Sequence, residues 1–515
     1  MFGSRRFVTR ALYAGAVFAL ILAGSPGPAS TAPSCDWPMY GHDLGHSFAA
    51  SPGCSTIKPL NVSTLKRRWF VNTKAPVTAS PSVVDGVVYV GAYDGTFYAI
   101  NAKNGKVRWT FKVTDKNSND YGPIPSSAAV DTVDGTKVVA FGGGSTLYLL
   151  DANTGALLAS SCFDPRPNPA VQCKGSTQTI EIEASPSIVH MPGGQVRIVA
   201  GMDFNEDSAV GRAGVVELLV DHTGSSWDLV PLWKFDPETL QTYTTDPLHA
   251  GGLGTGCGNV WSSPTVDVAG GMIFFGVGNC DTRPAVLEPG DGEAIVAISL
   301  NDGALVWRYQ PRAADNDLDL DYGSSAQLLP GGRVGEAGKD GTYYTFPRSP
   351  GTATPQPTWA SHVTIGSDIG GIIGSPALGR VNRKPAIFAS SAIPISTRVT
   401  GQSIQEGLKN PQRLFALHAI DATTGAVLWN APMPLPSYAA VTYANHVVFL
   451  PNTFGFQMQA YDANHGIPLW AFPTPAPSSA AAIVGDSIYF GSGTVGAGLP
   501  LDTVGGVWAF GLAAG

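Results

Sequence analysis

One phrase recurs along this chain. Residues 80–111 read SPSVVDGVVYVGAYDGTFYAINAKNGKVRWTF, and degraded copies return within 183–235, 260–311, 370–433 and 435–475. Each copy runs from Ser-Pro through three apolar runs separated by turns to an Asn/Asp-x-x-x-Gly turn and a Trp, which predicts four short strands. A unit of this kind cannot bury both of its faces alone. Stacked around an axis, such units form a β-propeller.

The composition suits this arrangement. The 515 residues include 62 glycines and 40 prolines, and only 14% are charged, as expected for many tight turns between buried strands. Amphipathic helical periodicity is almost missing, so the predicted fold class is all-β. Length alone would favour about three domains, but the repeats indicate one. The net charge of −8, without a basic cluster in the body of the chain, argues against a nucleic-acid partner.

The repeats add up to eight blades. Residues 476–512 supply only three strands, whereas residues 65–70 read as a fourth strand without its first three. We expect this N-terminal strand to complete the last blade, because the ring then has no open sheet edge. Seven blades are the alternative, because residues 321–363 match the repeat poorly. The fourth strands carry tryptophans that we expect to dock between blades: Trp109, Trp233, Trp307, Trp359, Trp429 and Trp470.

The N-terminus reads as a targeting segment. Three arginines among the first ten residues precede an apolar run from Ala11 to Ala23, and small residues follow. This pattern predicts a secretory signal peptide over 1–32. It leaves residues 33–515 as a single propeller domain, with no integral membrane span after cleavage. We therefore expect a secreted, periplasmic or cell-envelope protein.

The cysteines agree with export. Their number is even, and exported proteins form disulfides. Proximity in sequence favours three pairs, although sequence alone leaves every pairing open: Cys35–Cys54, Cys162–Cys173 and Cys257–Cys280. The chain has no Cys-x-x-Cys-His, which excludes a covalently attached c-type haem within it.

The first strand of each propeller blade lines the central channel. When the repeats are aligned on Ser-Pro, the residues three positions before the proline are Thr78, Glu183, Trp261 and Ile373. These four should therefore lie on one ring around the axis. A Trp and a Glu on that ring are unusual for packing alone, so the ring is a candidate ligand site.

Trp261 opens a stretch that resembles a known family. Asp267 and Gly276-Val277-Gly278-Asn279 follow it, and this order resembles the eight-bladed quinoprotein alcohol dehydrogenases. The branch most similar is that of polyvinyl alcohol dehydrogenase, without its haem domain. Residues 37–43, WPMYGHD, are similar to the N-terminal segment of the family, and the resemblance covers roughly residues 36–512. It implies pyrroloquinoline quinone (PQQ) and a metal, usually calcium, with Trp261 as the floor under the quinone and Asn279 as a metal ligand.

Two further segments carry site residues over by resemblance. In the acidic loop 315–323, Asp319 aligns with the catalytic base and would also bind the metal. Asp321 would be a second metal ligand from this loop, and such an Asp-x-Asp pair would also suit a lanthanide. Lys339, in the segment Ala337-Gly338-Lys339-Asp340-Gly341, would contact the quinone oxygens and stabilise the charge that develops there. The neighbouring Asp340-Gly341 reads as a hairpin turn.

Two features of the family match less well. Its metal-binding glutamate has three competing positions, Asp203, Glu206 and Asp207, and spacing favours Glu206. The family's pair of adjacent cysteines over the quinone has no counterpart in residues 120–131. The upper wall of the site is therefore expected to differ.

Two functions follow. The first is an exported PQQ-dependent dehydrogenase that oxidises a small, secondary or polymeric alcohol by hydride transfer to a metal-bound quinone. Thr78 and Glu183 would contact the cofactor, and electrons would pass to a separate acceptor such as a cytochrome. The alternative is a non-catalytic propeller that acts as a binding or assembly scaffold, since fold does not fix function. The residues that discriminate between the two are Trp261, Asn279, Asp319, Asp321 and Lys339. Their convergence at the channel mouth would favour the enzyme, and a scatter around the ring would favour the scaffold.

Overall fold

The computed structural model covers most of the repeats. It describes Met1, Gly3 and residues 35–113, 122–163, 173, 180–204, 212–252, 254, 257–278, 292–312, 319–367, 370–392, 415–433, 435–494 and 505–513. The predicted signal peptide, 1–32, lies outside these residues apart from Met1 and Gly3.

Within this part of the chain, eight antiparallel sheets form eight blades. A short 3-10 helix (Val62–Thr64) precedes β1 (Leu65–Asn72). Blades 1 and 2 are β2 (Ser82–Val84), β3 (Val87–Gly91), β4 (Thr96–Asn101), β5 (Val107–Lys112), then β6 (Ala129–Val133), β7 (Thr136–Gly143), β8 (Thr146–Asp151) and β9 (Leu157–Cys162). Blades 3 and 4 are β10 (Ile180–Glu181), β11 (Ser187–His190), β12 (Val196–Phe204), β13 (Gly214–Thr223), β14 (Ser226–Asp236), β15 (Gln241–Tyr243), then β16 (Thr265–Asp267), β17 (Met272–Gly276), β18 (Ile295–Ser299) and β19 (Leu305–Tyr309).

The second half of the ring continues this pattern. Blades 5 and 6 are β20 (Gln327–Leu329), β21 (Arg333–Ala337), β22 (Thr342–Pro347), β23 (Trp359–His362), then β24 (Ala377–Val381), β25 (Lys384–Ser390), β26 (Ala416–Asp421) and β27 (Val427–Pro432). Blades 7 and 8 are β28 (Thr442–Ala444), β29 (Val447–Asn452), β30 (Gln457–Asp462), β31 (Pro468–Pro473), then β32 (Ala482–Val484), β33 (Ser487–Ser492) and β34 (Gly506–Leu512). The poorly matched fifth unit is therefore a blade, and the predicted number of eight is confirmed.

The last blade closes the ring as predicted. β1 pairs antiparallel with β34, and the sheet order is β1-β34-β33-β32. The outermost strand of this blade thus comes from the N-terminal side of the chain, and no strand of the blade waits for a partner. Blade 3 departs from the four-strand pattern. β10 and β11 both pair with β12, and β15 extends the sheet beyond β14.

The tryptophans of the fourth strands dock between blades, which confirms their predicted role. The indole N–H of Trp109 donates to Ala152 O of the next blade at 3.1 Å, and Trp429 donates to Ala463 O at 3.0 Å. The glycine that ends the next blade's Asn/Asp-x-x-x-Gly turn lies under the ring. A Cβ at Gly155 would approach Trp109 to 2.6 Å, and one at Gly425 would approach Trp359 to 2.5 Å.

We expect Gly155→Ala to destabilise the protein more than an ordinary turn substitution. Gly155 has φ +74, so alanine costs about 1–2 kcal/mol in backbone strain, and the clash with Trp109 adds about 1–3 kcal/mol. Gly135→Ala is the matched control in the same blade, because Gly135 has φ +80 with nothing within 4 Å of its Cβ position. Denaturant unfolding of the two variants measures the difference. Equal destabilisation would contradict the docking role.

Serines that precede the first strands link these strands around the axis, and four of the six serines belong to Ser-Pro pairs. The backbone N–H of each donates to the hydroxyl of the serine in the next blade at 2.8–3.2 Å, and the chain of bonds is Ala480 to Ser80, Ser127, Ser185, Ser263, Ser325 and Ser375. The serine hydroxyl gives the backbone N–H of the neighbouring first strand a hydrogen-bond acceptor. The repeated serine is thus explained by the ring itself.

An irregular N-terminal segment, residues 37–56, lines the channel. Its backbone groups bond in turn to the first strands of blades 1, 2, 4, 5, 6 and 7, at Val83, Val130, Val266, Leu328, Leu378 and Tyr443, and to Gly485 of blade 8. These innermost strands would otherwise present unpaired edges to the channel. The segment therefore adds backbone hydrogen bonds to the first strands of most of the blades.

His46 of this segment makes the fold sensitive to acid. The side chain is fully buried, and Nδ1 lies 2.7 Å from Thr265 Oγ1. Burial lowers the pKa of His46 from 6.5 to about 4. The unfolded chain therefore binds a proton at a pH where the folded chain does not. The stability contribution is complete above about pH 6.5 and is lost as the pH falls toward about 4.

We therefore expect His46→Gln to flatten the acid limb of the stability profile. Between about pH 7 and about pH 4.5, the loss of unfolding free energy should shrink by about 2.5 kcal/mol relative to the unmodified protein. Denaturant unfolding at several pH values measures it, with His190→Gln, at an exposed position, as control. An unchanged pH dependence in His46→Gln would overturn this account.

Two of the predicted disulfides are formed and the third is half described. Cys35 bonds Cys54, and Cys162 bonds Cys173. Cys257 is disulfide-bonded, while its predicted partner Cys280 lies outside the described residues.

In the part of the chain that the structure describes, no helix is long and apolar enough to cross a membrane.

Candidate active site

The candidate site lies where first strands begin and second strands end. Trp261 precedes β16, Asp319 and Asp321 precede β20, and Lys339 follows β21. Antiparallel pairing brings the start of a first strand and the end of its second strand to the same end of a blade. The topology thus places all four residues on loops at one end of blades 4 and 5.

The side chains of Asp319, Asp321 and Lys339 form one ionic cluster beside the ring of Trp261. Lys339 Nζ donates to Asp319 Oδ2 at 2.9 Å and to Asp321 Oδ2 at 2.6 Å. The same Nζ lies 5.5 Å from the centroid of the Trp261 ring, within the range of a cation–π contact. The three charged side chains are buried and Trp261 is half-buried. A single cation therefore serves two carboxylates beside an aromatic face.

Glycines make this close approach possible. A Cβ at Gly323 would come within 1.6 Å of the Trp261 ring, so the indole lies directly on backbone of blade 5. A Cβ at Gly278 would come within 2.6 Å of the Asp321 carboxyl. The backbone N–H of Lys339 also donates to Asp321 O at 2.9 Å, which ties the two loops of blade 5 together.

The electrostatics favour proton transfer at Asp319. Burial, followed by the charge of Asp321, raises the pKa of Asp319 to about 8, although Lys339 opposes the shift. Burial alone would lower the pKa of Lys339, but Asp321 and Asp319 raise it, so the amine stays protonated. A carboxylate whose pKa lies near neutrality is suited to act as a general base.

The residues present fit a planar quinone and a hard cation. Asp319 Oδ1 is buried, and no described residue donates a hydrogen bond to it. The Trp261 Nε1–H is also buried, and no described residue accepts a hydrogen bond from it. Carboxylate oxygens are the ligands that calcium and related cations prefer. A flat aromatic ring suits stacking. Lys339 supplies positive charge beside both.

Two predicted metal ligands, Glu206 and Asn279, lie outside the described residues. Among the described residues, no three His, Cys, Asp or Glu side chains gather closely enough to hold a metal. The described part of the site therefore offers a pair of carboxylates and no more. Asp203, which competed with Glu206 in sequence, pairs in register with Glu181 between β12 and β10 and is buried.

Thr78 and Glu183 gather around a tyrosine that the sequence reasoning missed. The Tyr93 hydroxyl hydrogen-bonds Thr78, and burial, with smaller contributions from Glu183 and Glu181, raises the pKa of Tyr93. A signal was available in the repeat, because Tyr93-Asp94-Gly95 aligns with Lys339-Asp340-Gly341 and so occupies the same position in blade 1.

Asp340 has more partners than a turn requires. Gly341 has φ +78 and closes the predicted turn. The Asp340 carboxylate also accepts hydrogen bonds from Tyr344 at 2.8 Å and from Arg312 at 3.2 Å. The sequence reasoning gave Asp340 no role beyond the turn and did not select Arg312.

Comparison with known proteins agrees with this geometry. A family model described as "Glucose/ethanol/alcohol dehydrogenase, beta-propeller domain" (PQQ) matches residues 37–355, and a model for outer membrane protein assembly factor BamB matches residues 413–509. The quinone-dependent alcohol dehydrogenase subunit of Gluconacetobacter polyoxogenes is 26% identical over 64% of this chain and 47% of its own length. A Pseudomonas polyvinylalcohol dehydrogenase is 24% identical over 68% of this chain and 57% of its own length. The chain thus spans about half the length of the curated relatives it matches.

Solved structures share the fold. A europium-containing methanol dehydrogenase aligns with a TM-score of 0.65 at 17% identity, over 93% of this chain and 98% of its own. The quinohemoprotein alcohol dehydrogenase of Comamonas testosteroni aligns with a TM-score of 0.64 at 17% identity, over 95% and 82% of the two chains. The matched segment 37–355 contains every described residue of the ionic cluster. The chain therefore belongs to the PQQ dehydrogenase β-propeller family.

Proposed function

We propose that this protein is an exported PQQ-dependent dehydrogenase that oxidises an alcohol. The observation that carries the proposal is the convergence of Asp319, Asp321 and Lys339 beside the half-buried face of Trp261. A scaffold has no physical reason to bury two carboxylates and a lysine together at a channel mouth, because buried charges are costly unless they serve one another or a ligand.

Each residue has a distinct task. Trp261 supports the flat cofactor, and Asp321, with Asp319, supplies oxygen ligands for the metal. Asp319 takes the hydroxyl proton of the alcohol at its carboxylate. Lys339 would stabilise the negative charge that develops on the quinone oxygens. When bound, PQQ supplies the electrophilic carbonyl that accepts the hydride, so the protein itself needs no redox group.

The substrate and partners are proposed from the relatives. Both quinone-dependent alcohol dehydrogenases and polyvinylalcohol dehydrogenases occur among them, and we propose a small, secondary or polymeric alcohol. The metal is calcium or a lanthanide. The carboxylate of Asp321, as a second ligand beside that of Asp319, favours the more highly charged ion. For the electrons we propose a separate acceptor such as a cytochrome, since one relative is named as a cytochrome c-dependent hydroxylase.

The test is a dye-linked oxidation assay on purified protein. Protein loaded with PQQ and Ca²⁺, or PQQ and La³⁺, is mixed with primary, secondary and polymeric alcohols and an artificial electron acceptor. Turnover that requires both PQQ and the metal supports the proposal. No turnover with any combination overturns it and favours the scaffold, for which the BamB-type match at residues 413–509 is the supporting observation.

A further inference from the structure

The loop that carries Asp319 and Asp321 is hydrogen-bonded to a buried ion pair that lies outside the ionic cluster. Glu293 lies just before β18 and Arg312 just after β19, both in blade 4. Arg312 Nε donates to Glu293 Oε2 at 2.6 Å. Glu293 is 1% exposed and Arg312 is 19% exposed. A charge pair so far removed from water needs further hydrogen bonds to be tolerated.

Those bonds go to both backbone groups of Leu320. The Leu320 N–H donates to Glu293 Oε1 at 2.7 Å, and Arg312 Nη2 donates to Leu320 O at 2.8 Å. Leu320 stands between Asp319 and Asp321. The pair therefore holds the two peptide units that join Asp319 to Asp321 through Leu320.

The same arginine reaches the second segment of the site. Arg312 Nη1 donates to Asp340 Oδ2 at 3.2 Å, and Asp340 is next to Lys339 in sequence. Asp340 is itself fixed, since its carboxylate accepts from Tyr344 Oη at 2.8 Å and from the Thr342 N–H at 3.0 Å. One guanidinium thus joins the carboxylate loop to the turn that carries the lysine.

The loop needs such a restraint. Asp319 has φ +50, a left-handed conformation that residues other than glycine seldom adopt and that persists only when surrounding structure enforces it. Asp319 and Asp321 also repel each other when both are charged. Without hydrogen bonds from outside the loop, the backbone would relax and Asp319 would move away from Lys339.

We propose that Glu293 and Arg312 are positioning residues that fix Asp319 relative to Lys339 for the reaction. This inference rests on the proposed function and extends it to a residue pair supplied by blade 4. A planar guanidinium with donors in a fixed fork can hold Glu293, Leu320 O and Asp340 together. An ammonium group cannot reproduce that geometry.

The test compares Arg312→Lys and Glu293→Ala with a matched control. Arg348→Lys is the control, because Arg348 also bridges blades 4 and 5: its Nη1 donates to Asp267 Oδ2 at 2.9 Å and its Nη2 to Leu329 O at 3.1 Å, away from the ionic cluster. Two readouts are measured. The first is kcat and KM for the alcohol in PQQ- and metal-loaded protein. The second is hydrogen–deuterium exchange of the peptide containing Leu320 in protein without PQQ.

Arg312→Lys and Glu293→Ala are expected to lower kcat by about 10- to 100-fold with little change in KM, and to speed exchange at Leu320. Arg348→Lys should change neither. Glu293→Gln keeps an acceptor for the Leu320 N–H, so its kcat and its exchange rate at Leu320 should lie between those of the unmodified protein and of Glu293→Ala. Unchanged kcat and exchange in Arg312→Lys, or an equal kcat loss in Arg348→Lys, would overturn the inference. If the unmodified protein shows no turnover, the proposed function fails, and the exchange data alone decide whether the pair restrains the loop.

Discussion

Asp319→Asn is expected to lower the rate of alcohol oxidation by about 100-fold or more. Asparagine keeps the size of the side chain and can still contact Lys339 through its carbonyl oxygen. It cannot accept the hydroxyl proton of the substrate, which the carboxylate does in the proposed reaction. The effect should therefore fall on kcat more than on KM. Steady-state kinetics of PQQ- and metal-loaded protein measures it.

Two controls separate chemistry from folding. Asp302→Asn changes a carboxylate in a turn remote from the ionic cluster, with a partly lowered pKa from local hydrogen bonds, and should leave kcat unchanged. Unfolding curves should show that Asp319→Asn remains as stable as the unmodified protein or more so, because asparagine cannot take the negative charge that burial and Asp321 disfavour at this position. If Asp319→Asn keeps more than about a tenth of the turnover, the carboxylate is not the base assumed here.

Lys339→Met is expected to cost the largest amount of stability among site variants, about 3–5 kcal/mol. The apolar side chain fills similar space but leaves Asp319 and Asp321 buried without their cation. Either two like charges then remain in a dry environment or the carboxyls bind protons. Denaturant unfolding near neutral pH measures the loss.

A double-mutant cycle tests the physical reason. Asp321→Asn in the Lys339→Met background removes one of the two stranded charges. The second change should therefore destabilise much less than it does in the unmodified protein, or should restore stability, with a coupling of about 1–3 kcal/mol. Additive losses would show that Lys339 acts through packing alone.

Much of the fold follows from the sequence because the repeat is local. Ser-Pro, the Asn/Asp-x-x-x-Gly turn and the fourth-strand tryptophan specify strands, turns and docking within each unit, and the incomplete last unit predicts the closing strand β1. The channel segment 37–56 was not predicted. It has no strand periodicity and bonds through backbone groups, which leave no mark in the side-chain pattern.

The site was predicted in part, for a similar reason. Trp261, Asp319 and Lys339 were selected by resemblance, and the structure brings them together. Glu293 and Arg312 were missed because they act on the backbone of Leu320, a contact that neither repeat position nor spacing encodes. Tyr93 was missed because an aromatic residue at the end of a second strand reads as core.

The most direct test of the central claim is calorimetric titration of the Ca²⁺- or La³⁺-loaded protein with PQQ, repeated on Trp261→Ala. Trp227→Ala is the control, because Trp227 stacks on His222 at a hairpin of blade 3, remote from the ionic cluster. We predict saturable binding of one PQQ per chain that is lost in Trp261→Ala and kept in Trp227→Ala. No binding with either metal, or equal binding by the Trp261→Ala variant, would contradict the assignment of this channel mouth as a quinone site.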